Sequence, residues 1–488
     1  MRLPSLRLRA VNGLPERPDG AFVLYWMIAQ RRTGWNFALQ YAAERARALG
    51  RPLLIFEPLR VGYRWASRRL HAFVLDGMRD QRAACAAAGV AYLPYVEPSH
   101  GAGSGLLAAL AAEACLVVTD EYPCFFLPQM VAAAGRRLPV RLEAVDGNGL
   151  LPLRASERAF PTAAGFRRHL QATLAPHLEG FPVAAPLVGL RGPQAIVPPA
   201  ILARWPAADL DDPGLLDRLP IDQTVRETAR GGAVVAAARL EDFLAEGLPR
   251  YGEERSHPDA DAASGLSPWL HFGHLSPHAV VAGIFDAEGW HPGRLGKVTG
   301  ARAGWWGLSA TAEAFLDELV TWREVGFGFC YHRPDDYFAF DSLPDWARAT
   351  LTEHAVDPRP VVYDRATLEA ARTHDPLWNA AQTELVRTGR MQNYLRMLWG
   401  KKVLEWSRTP AEALDTLIEL NNRYALDGRD PNSYSGIFWT LGRFDRPWGP
   451  TRPIFGTIRY MSSESTARKL KLKGYLARFG EDPQPSLL

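Results

Sequence analysis

Residues 22–56 read FVLYWMIAQRRTGWNFALQYAAERARALGRPLLIF. Two short apolar runs, Phe22–Met27 and Pro52–Phe56, bracket an Ala-, Leu- and Arg-rich stretch from Asn36 to Leu49. An apolar run too short for a buried helix, then a helical stretch, then a second such run, reads as a β–α–β unit with strands covered on both faces. The pattern continues. Ala91–Val96, Leu116–Thr119 and Val140–Val145 are further strand candidates, and Trp65–Ala88, Gly105–Ala114 and Phe126–Arg136 are long enough for helices. Residues 1–150 are therefore expected to form an α/β domain with a doubly wound, mostly parallel, Rossmann-like sheet. The GAGSG run at 101–105 lacks the Gly-Lys-Ser/Thr ending of a phosphate loop and does not directly follow a strand, so it reads as a helix-entry turn.

Outward from this unit the texture changes twice. Residues 151–220 are rich in Pro and Gly with little periodicity, the composition of an interdomain linker. Residues 221–488 carry apolar side chains at three- and four-residue spacing, which predicts an all-α C-terminal domain. With 47% hydrophobic and 22% charged residues, the chain is an ordinary globular one, which excludes intrinsic disorder. Lys plus Arg number 56 against 53 Asp plus Glu, so any nucleic-acid partner must be met by a local basic patch. Cys85, Cys115, Cys124 and Cys330 form no Cys-x-x-Cys pair and no zinc spacing. No apolar run approaches the ~18 residues of a membrane span, and the first twenty residues lack a secretory core. A reducing, cytoplasmic setting without a membrane partner is expected.

Four segments carry chemistry. In RYGEERSHPDADAASGLSPWLHF, Ser264, Gly265, Leu266 and Ser267 precede a helix expected near Pro268. Hydroxyls and free N–H groups there suit a diphosphate, although Ser267 reads equally well as a plain helix cap. In FLDELVTWREVGFGFCY, Glu318 and Trp322 are four apart and share a helix face. In THDPLWNAAQTELVRTGRMQNYLRMLWGKKVLEW, Trp378, Trp399 and Trp406 sit near Arg396, with Trp399 and Trp406 two turns apart on one helix. Core packing is the usual role of such indoles, and a redox-active row is the alternative. In LNNRYALDGRDPNSYSGIFWTLGRFDRPWGPTRPIFGTIRYM, Trp439, Arg443, Arg446, Trp448, Arg452 and Arg459 alternate aromatic and basic character, which suits unpaired bases and phosphates. Its DGRDPN run lacks the ligand spacing of a calcium loop.

These segments, with THDPLWNAAQ, LRMLWGKKVLEW, ALDGRDPN, DRPW and FGTIRYM in that order, resemble the class II cyclobutane pyrimidine dimer photolyases of the photolyase/cryptochrome superfamily. The resemblance implies light-driven repair: reduced, anionic FAD donates an electron to a flipped-out dimer in DNA and recovers it once the dimer splits. It implies that Tyr251 and the Ser264–Gly265–Leu266–Ser267 turn hold FAD, with Arg396 and Asp427 flanking its ring and Asn421 near the reactive nitrogen. It implies Glu318, Trp322 and Asn421 as catalytic residues. Arg255, Glu318, Trp322, Asn393, Met397, Trp439, Arg446, Trp448 and Arg459 would meet lesion or DNA, and Trp378, Trp399 and Trp406 would carry electrons to the flavin. UV-damaged DNA, double- and single-stranded, is the implied partner of a monomer. A deazaflavin or folate antenna, or an empty antenna site, is compatible with the N-terminal half. Gln392-Asn393 stands where class II chains carry His-Gly. A cryptochrome-like photoreceptor and a (6-4) photolyase are the alternatives. An ordinary two-electron flavin oxidoreductase is disfavoured by the missing dinucleotide fingerprint.

Overall fold

The computed structural model describes residues 3–190 and 192–480. Six strands, β1 (Leu8–Ala10), β2 (Phe22–Trp26), β3 (Leu53–Leu59), β4 (Ala91–Val96), β5 (Ala114–Glu121) and β6 (Leu142–Asp146), form one sheet in the order β1-β6-β5-β2-β3-β4. Every pairing is parallel except β1 with β6. Strands β2 and β5 lie at the centre with all residues buried, as unbroken apolar strands must be to escape water on both faces. The five expected strands are all present. The sixth, β1, is three residues of LRA at the sheet edge, too short and too polar to show an alternation.

Helices α1 (Phe37–Leu49), α2 (Arg68–Ala88), α3 (Leu106–Glu113) and α4 (Leu127–Arg137) alternate with these strands. Local chemistry sets their ends. The Asn36 side chain accepts from Leu39 N–H to start α1, and Gly50, at φ 61°, lets the chain leave it in the left-handed region. The GAGSG run is indeed a turn, with Gly105 at φ 92° leading into α3. Strand order reverses between β2 and β5, and there the buried Asp120 carboxylate accepts from the N–H groups of Ile28, Ala29 and Gln30 and from Tyr25 hydroxyl. Those bonds pin the β2–α1 loop across the switch point.

Beyond the sheet the chain is helical. In order come α5 (Ala163–Thr173), α6 (Pro199–Arg204), α7 (Ala233–Asp242), α8 (Leu248–Glu254), α9 (Ser267–His271) and α10 (Pro277–Ala287). Then follow α11 (Ala310–Leu316), α12 (Arg323–His332), α13 (Asp345–Glu353), α14 (Arg365–Glu369), α15 (Pro376–Thr388) and α16 (Asn393–Trp406). The series closes with α17 (Pro410–Tyr424), α18 (Pro431–Thr440), α19 (Ser463–Lys469) and α20 (Lys473–Phe479).

Two compact units result, and they interleave along the chain. The first comprises Met1–Glu157, Thr173–Glu241 and Leu266–Gly293; the second comprises Arg158–Ala172, Asp242–Gly265 and Arg294–Leu488. The Pro- and Gly-rich 151–220 stretch holds α5 and α6 and is divided between the units. In the first unit it is stitched down by bonds that composition does not reveal, such as Trp205 Nε1 donating to the Ala102 carbonyl and Arg47 donating to the Val188 carbonyl.

Candidate functional site

The second unit holds a small pocket between α16, α17 and α18, lined among others by Arg396, Met397, Trp399, Asn421, Ser433 and Gly436. Its geometry follows from how α18 begins. Asp430 caps that helix by accepting from Asn432 N–H, Pro431 fills the first turn, and Arg429 takes φ 65° to make the reversal. The DGRDPN run is thus a helix entry. Asp427, just ahead of it, meets the Arg396 guanidinium at 3.3 Å, while its own carbonyl accepts from Ser433 hydroxyl at 2.7 Å. Asn421 is buried, and its amide donates to Asn422 at 3.2 Å.

Of the four residues in the turn expected to hold phosphate, Gly265 carries the clearest constraint. It sits at φ 67°, and a Cβ there would lie 2.5 Å from the Arg390 guanidinium. Ser267 does not cap α9: the backbone of Leu266 is already helical, so the cap position falls one residue early and no side chain accepts the first N–H groups. With five residues, α9 has little dipole to offer. Arg390, absent from the expectation, brings the positive charge. Tyr251 is buried edge-on against Phe243 and Phe315, its hydroxyl held above its ordinary pKa by burial.

Glu318 and Trp322 stand on a π-helical turn, Asp317–Trp322, inserted between α11 and α12. Such insertions cost regular hydrogen bonding and recur where side chains must be re-aimed. Buried Asp317 anchors the turn, its two carboxylate oxygens meeting Arg167 on α5 at 2.7 and 3.0 Å. Glu318 faces Arg255 at 3.5 Å. Arg255 in turn donates to the Ala314 carbonyl and lies over the Tyr251 ring, and its own carbonyl accepts from Gln392. The Glu318 side chain keeps 32% of its surface accessible, yet desolvation outweighs Arg255 and pushes its carboxyl above the usual range. Gln392 caps α16 through Leu395 N–H, leaving Asn393 exposed at the first turn and Met397 in the pocket wall.

The three expected tryptophans touch one another, in an order that spacing on one helix does not give. Trp378 on α15 lies between Trp399 and Trp406, parallel to the first at 6.5 Å and edge-on to the second at 5.5 Å. All three are buried. Trp378 Nε1 donates to the Trp399 carbonyl, and Trp399 Nε1 to Gln382. Trp399 lines the pocket; at the far end Trp406 meets half-exposed Tyr363 at 5.4 Å, whose hydroxyl is 2.7 Å from His374. Tyr363 went unread in the sequence because nothing in its Pro-rich surroundings marks it.

The basic–aromatic segment divides. Arg443 turns inward, between Phe329 and Phe444, and is buried. Arg446 and Arg459 are exposed and Trp439 and Trp448 half-buried; Arg459 faces both indoles at 5.8 and 5.0 Å, and Arg446 lies 4.7 Å from Trp448. Among the described residues no group of three or more His, Cys, Asp or Glu is placed to hold a metal, and no helix is long and apolar enough to cross a membrane.

No family model matches the chain. The deoxyribodipyrimidine photo-lyase of Methanothermobacter thermautotrophicus is 34% identical over 475 residues, 97% of this chain and 97% of that one. The rice enzyme of the same name is 33% identical over 96% of this chain and 90% of its own. That of Potorous tridactylus is 33% identical over 92% and 79%. Among solved structures, a class III photolyase from Agrobacterium tumefaciens matches with TM-score 0.68 and 18% identity, covering 94% of this chain and 86% of that one. A Synechocystis cryptochrome matches at 0.67 and 16%, covering 94% and 88%. At those identities the structural matches speak for the fold.

Proposed function

The chain belongs to the deoxyribodipyrimidine photo-lyase family, and from that premise we propose how its own residues perform light-driven repair of cyclobutane pyrimidine dimers in DNA. The observation that carries the reading is the juxtaposition of a pocket bearing Arg396 and Asn421 with a row of buried indoles that begins in its wall at Trp399. FAD is the cofactor we assign to this site: Gly265, lacking a Cβ, lets the Arg390 guanidinium close against the turn as a partner for a phosphate, and Arg396, Asp427 and Asn421 present charge and amide groups at the pocket. When bound and reduced, FAD supplies the light-excited electron that opens the cyclobutane ring and takes it back afterwards.

The protein's own contribution is binding, orientation and proton placement. Arg396 sets a positive charge beside the pocket, balanced by Asp427, so negative charge there is stabilised without a free cation in the core. Asn421 offers a neutral amide, which hydrogen-bonds without repelling that charge. On the lesion side, Trp439 and Trp448 wall the flipped dimer, and Trp322 and Met397 complete the apolar lining. Arg446 and Arg459 occupy the duplex space the dimer leaves, offsetting the few kcal/mol that unstacking costs. Glu318, with its carboxyl biased toward the protonated form, donates a hydrogen bond to a thymine carbonyl as negative charge develops there. Arg255 fixes its orientation and Gln392 fixes Arg255. Gln392 is thereby engaged in capping and bracing, and Asn393 is left at the DNA-facing surface. Trp399, Trp378 and Trp406 serve activation of the oxidised cofactor and take no part in repair. The protein acts as a monomer on duplex and single-stranded lesions.

The test is an illuminated assay on a defined thymine dimer, with dark and (6-4) controls. Light-dependent restoration of the thymine dimer alone supports the reading; activity on the (6-4) product alone, or none on either, contradicts it.

A further inference from the structure

We propose that Lys401 is a positioning residue for the lesion pocket: its buried ammonium holds the Trp439 wall in place, and loss of that charge loosens the grip on a flipped dimer. The proposal rests on reading Trp439 as a wall of that pocket.

Lys401 lies in the middle of α16, fully buried. It reaches the last turn of α18, where Nζ donates to the Thr440 carbonyl at 2.6 Å and stands 5.3 Å from the Trp439 ring centre. Gly400 makes the approach possible, since a Cβ there would meet the Thr440 side chain at 2.6 Å. Outward from Lys401 the order is Trp439, Arg459, Trp448, Arg446, with cation and indole alternating from core to surface. An ammonium held dry against an aromatic face is attracted to it more strongly than one in water. Lys401 is the inner member of this row; itself buried, it reaches the pocket lining only through the Thr440 carbonyl and the expected DNA surface only through Trp439.

Its charge is conditional. Asp445 and Arg459 face it from the segment after α18, the first favouring the ammonium and the second opposing it. Burial dominates both and holds the amine's pKa down to about 7. Two opposite pH dependences follow. Grip on the dimer is strongest below that value and falls as pH rises through it. Folding stability runs the other way: between about 7 and the ordinary 10.5 the unfolded chain binds the proton that the folded chain has released, so stability rises with pH across that window. A residue that only filled the core would not couple falling affinity to rising stability.

The experiment compares the holoenzyme with Lys401→Met and Lys401→Gln, the latter keeping a donor without charge. Affinity for thymine-dimer duplex relative to undamaged duplex is measured on either side of neutrality. The parent should lose selectivity by about fivefold as pH rises, and both variants should be weak and flat. The component of indole emission that disappears in Trp439→Phe should respond to pH in the parent and not in Lys401→Met. That reading needs no DNA, so it stands even if the protein proves not to select dimers. A pH-insensitive Trp439 emission, or a Lys401→Gln protein with the parent's selectivity and pH profile, overturns the proposal.

Discussion

Helix α16 takes part in two sets of indoles, through Trp399 and Trp406 in one and through Lys401 in the other, and the sets differ chiefly in charge. On one face Trp399 joins Trp378 and Trp406, with indole N–H groups satisfied by a backbone carbonyl and the neutral Gln382. Lys402 lies 5.5 Å from Trp406 but is paired with Glu405 at 2.8 Å. On the other face Lys401 opens a row in which Trp439 and Trp448 are flanked by cations. A unit positive charge 5 Å away raises the cost of removing an electron from an indole by about 3 kcal/mol at an effective dielectric near 20. The neutral set therefore suits electron transfer and the cationic one suits binding. The same residue type does two jobs, and its neighbours decide which.

The largest effect expected within the neutral set is at its centre. Trp378 alone of the three contacts both others, so Trp378→Phe should slow blue-light photoreduction of the purified enzyme by at least an order of magnitude, followed by absorbance with an external reductant. Unchanged photoreduction in all three single variants would reduce the row to core packing, worth about 1 kcal/mol of stability per substitution.

Next in size is Glu318, on the lesion side. Glu318→Ala should lower repair per absorbed photon by roughly tenfold or more, with only a modest loss of lesion affinity. Because burial raises its pKa, repair should decline as pH rises through that raised value, and Glu318→Gln should flatten the decline. The fold should also lose stability as pH climbs from the ordinary carboxylate value through the raised one, since the folded chain binds the proton more tightly there. A collapse of affinity at normal yield per bound lesion would make Glu318 a binding residue.

Arg446→Ala tests the cationic row at its exposed end. Binding to a dimer in duplex DNA should weaken about fivefold more than binding to a dimer in a single strand, where no vacated space needs filling. Equal losses on the two substrates would remove the duplex-intruding role. The smallest change serves as a control on the comparison. Gly265→Ala strains a φ of 67° and displaces Arg390, at about 1 kcal/mol, and should lower cofactor retention. Photoreduction and repair should then fall together, in proportion to cofactor content, whereas substitutions in either indole row separate them.

The α/β half was legible almost element by element, because strands buried on both faces write themselves as unbroken apolar runs; only the three-residue edge strand β1 escaped. The helical half was legible as a class and in its motifs, while its distances were not. Seven-residue spacing put Trp399 and Trp406 on one face, but their contact runs through Trp378 on a neighbouring helix, a tertiary fact. The four-residue spacing of Glu318 and Trp322 likewise hid a π turn, set by the buried Arg167–Asp317 pair from across the unit. Arg443 read as one more exposed arginine and is buried between two phenylalanine rings. Lys401 carried a signal that could have been read: it is two residues from Trp399, hence on the opposite face of the helix, with Lys402 beside it.

The division of labour between the two indole rows is tested most directly by crossing one variant from each, Trp378→Phe and Trp439→Phe. Photoreduction of the oxidised enzyme and thymine-dimer repair by chemically pre-reduced enzyme would be measured on the same preparations. The predicted pattern is crossed: Trp378→Phe loses photoreduction and repairs at near the parent rate once pre-reduced, while Trp439→Phe photoreduces normally and repairs poorly. Loss of both activities in either protein, or repair lost in pre-reduced Trp378→Phe, would contradict it.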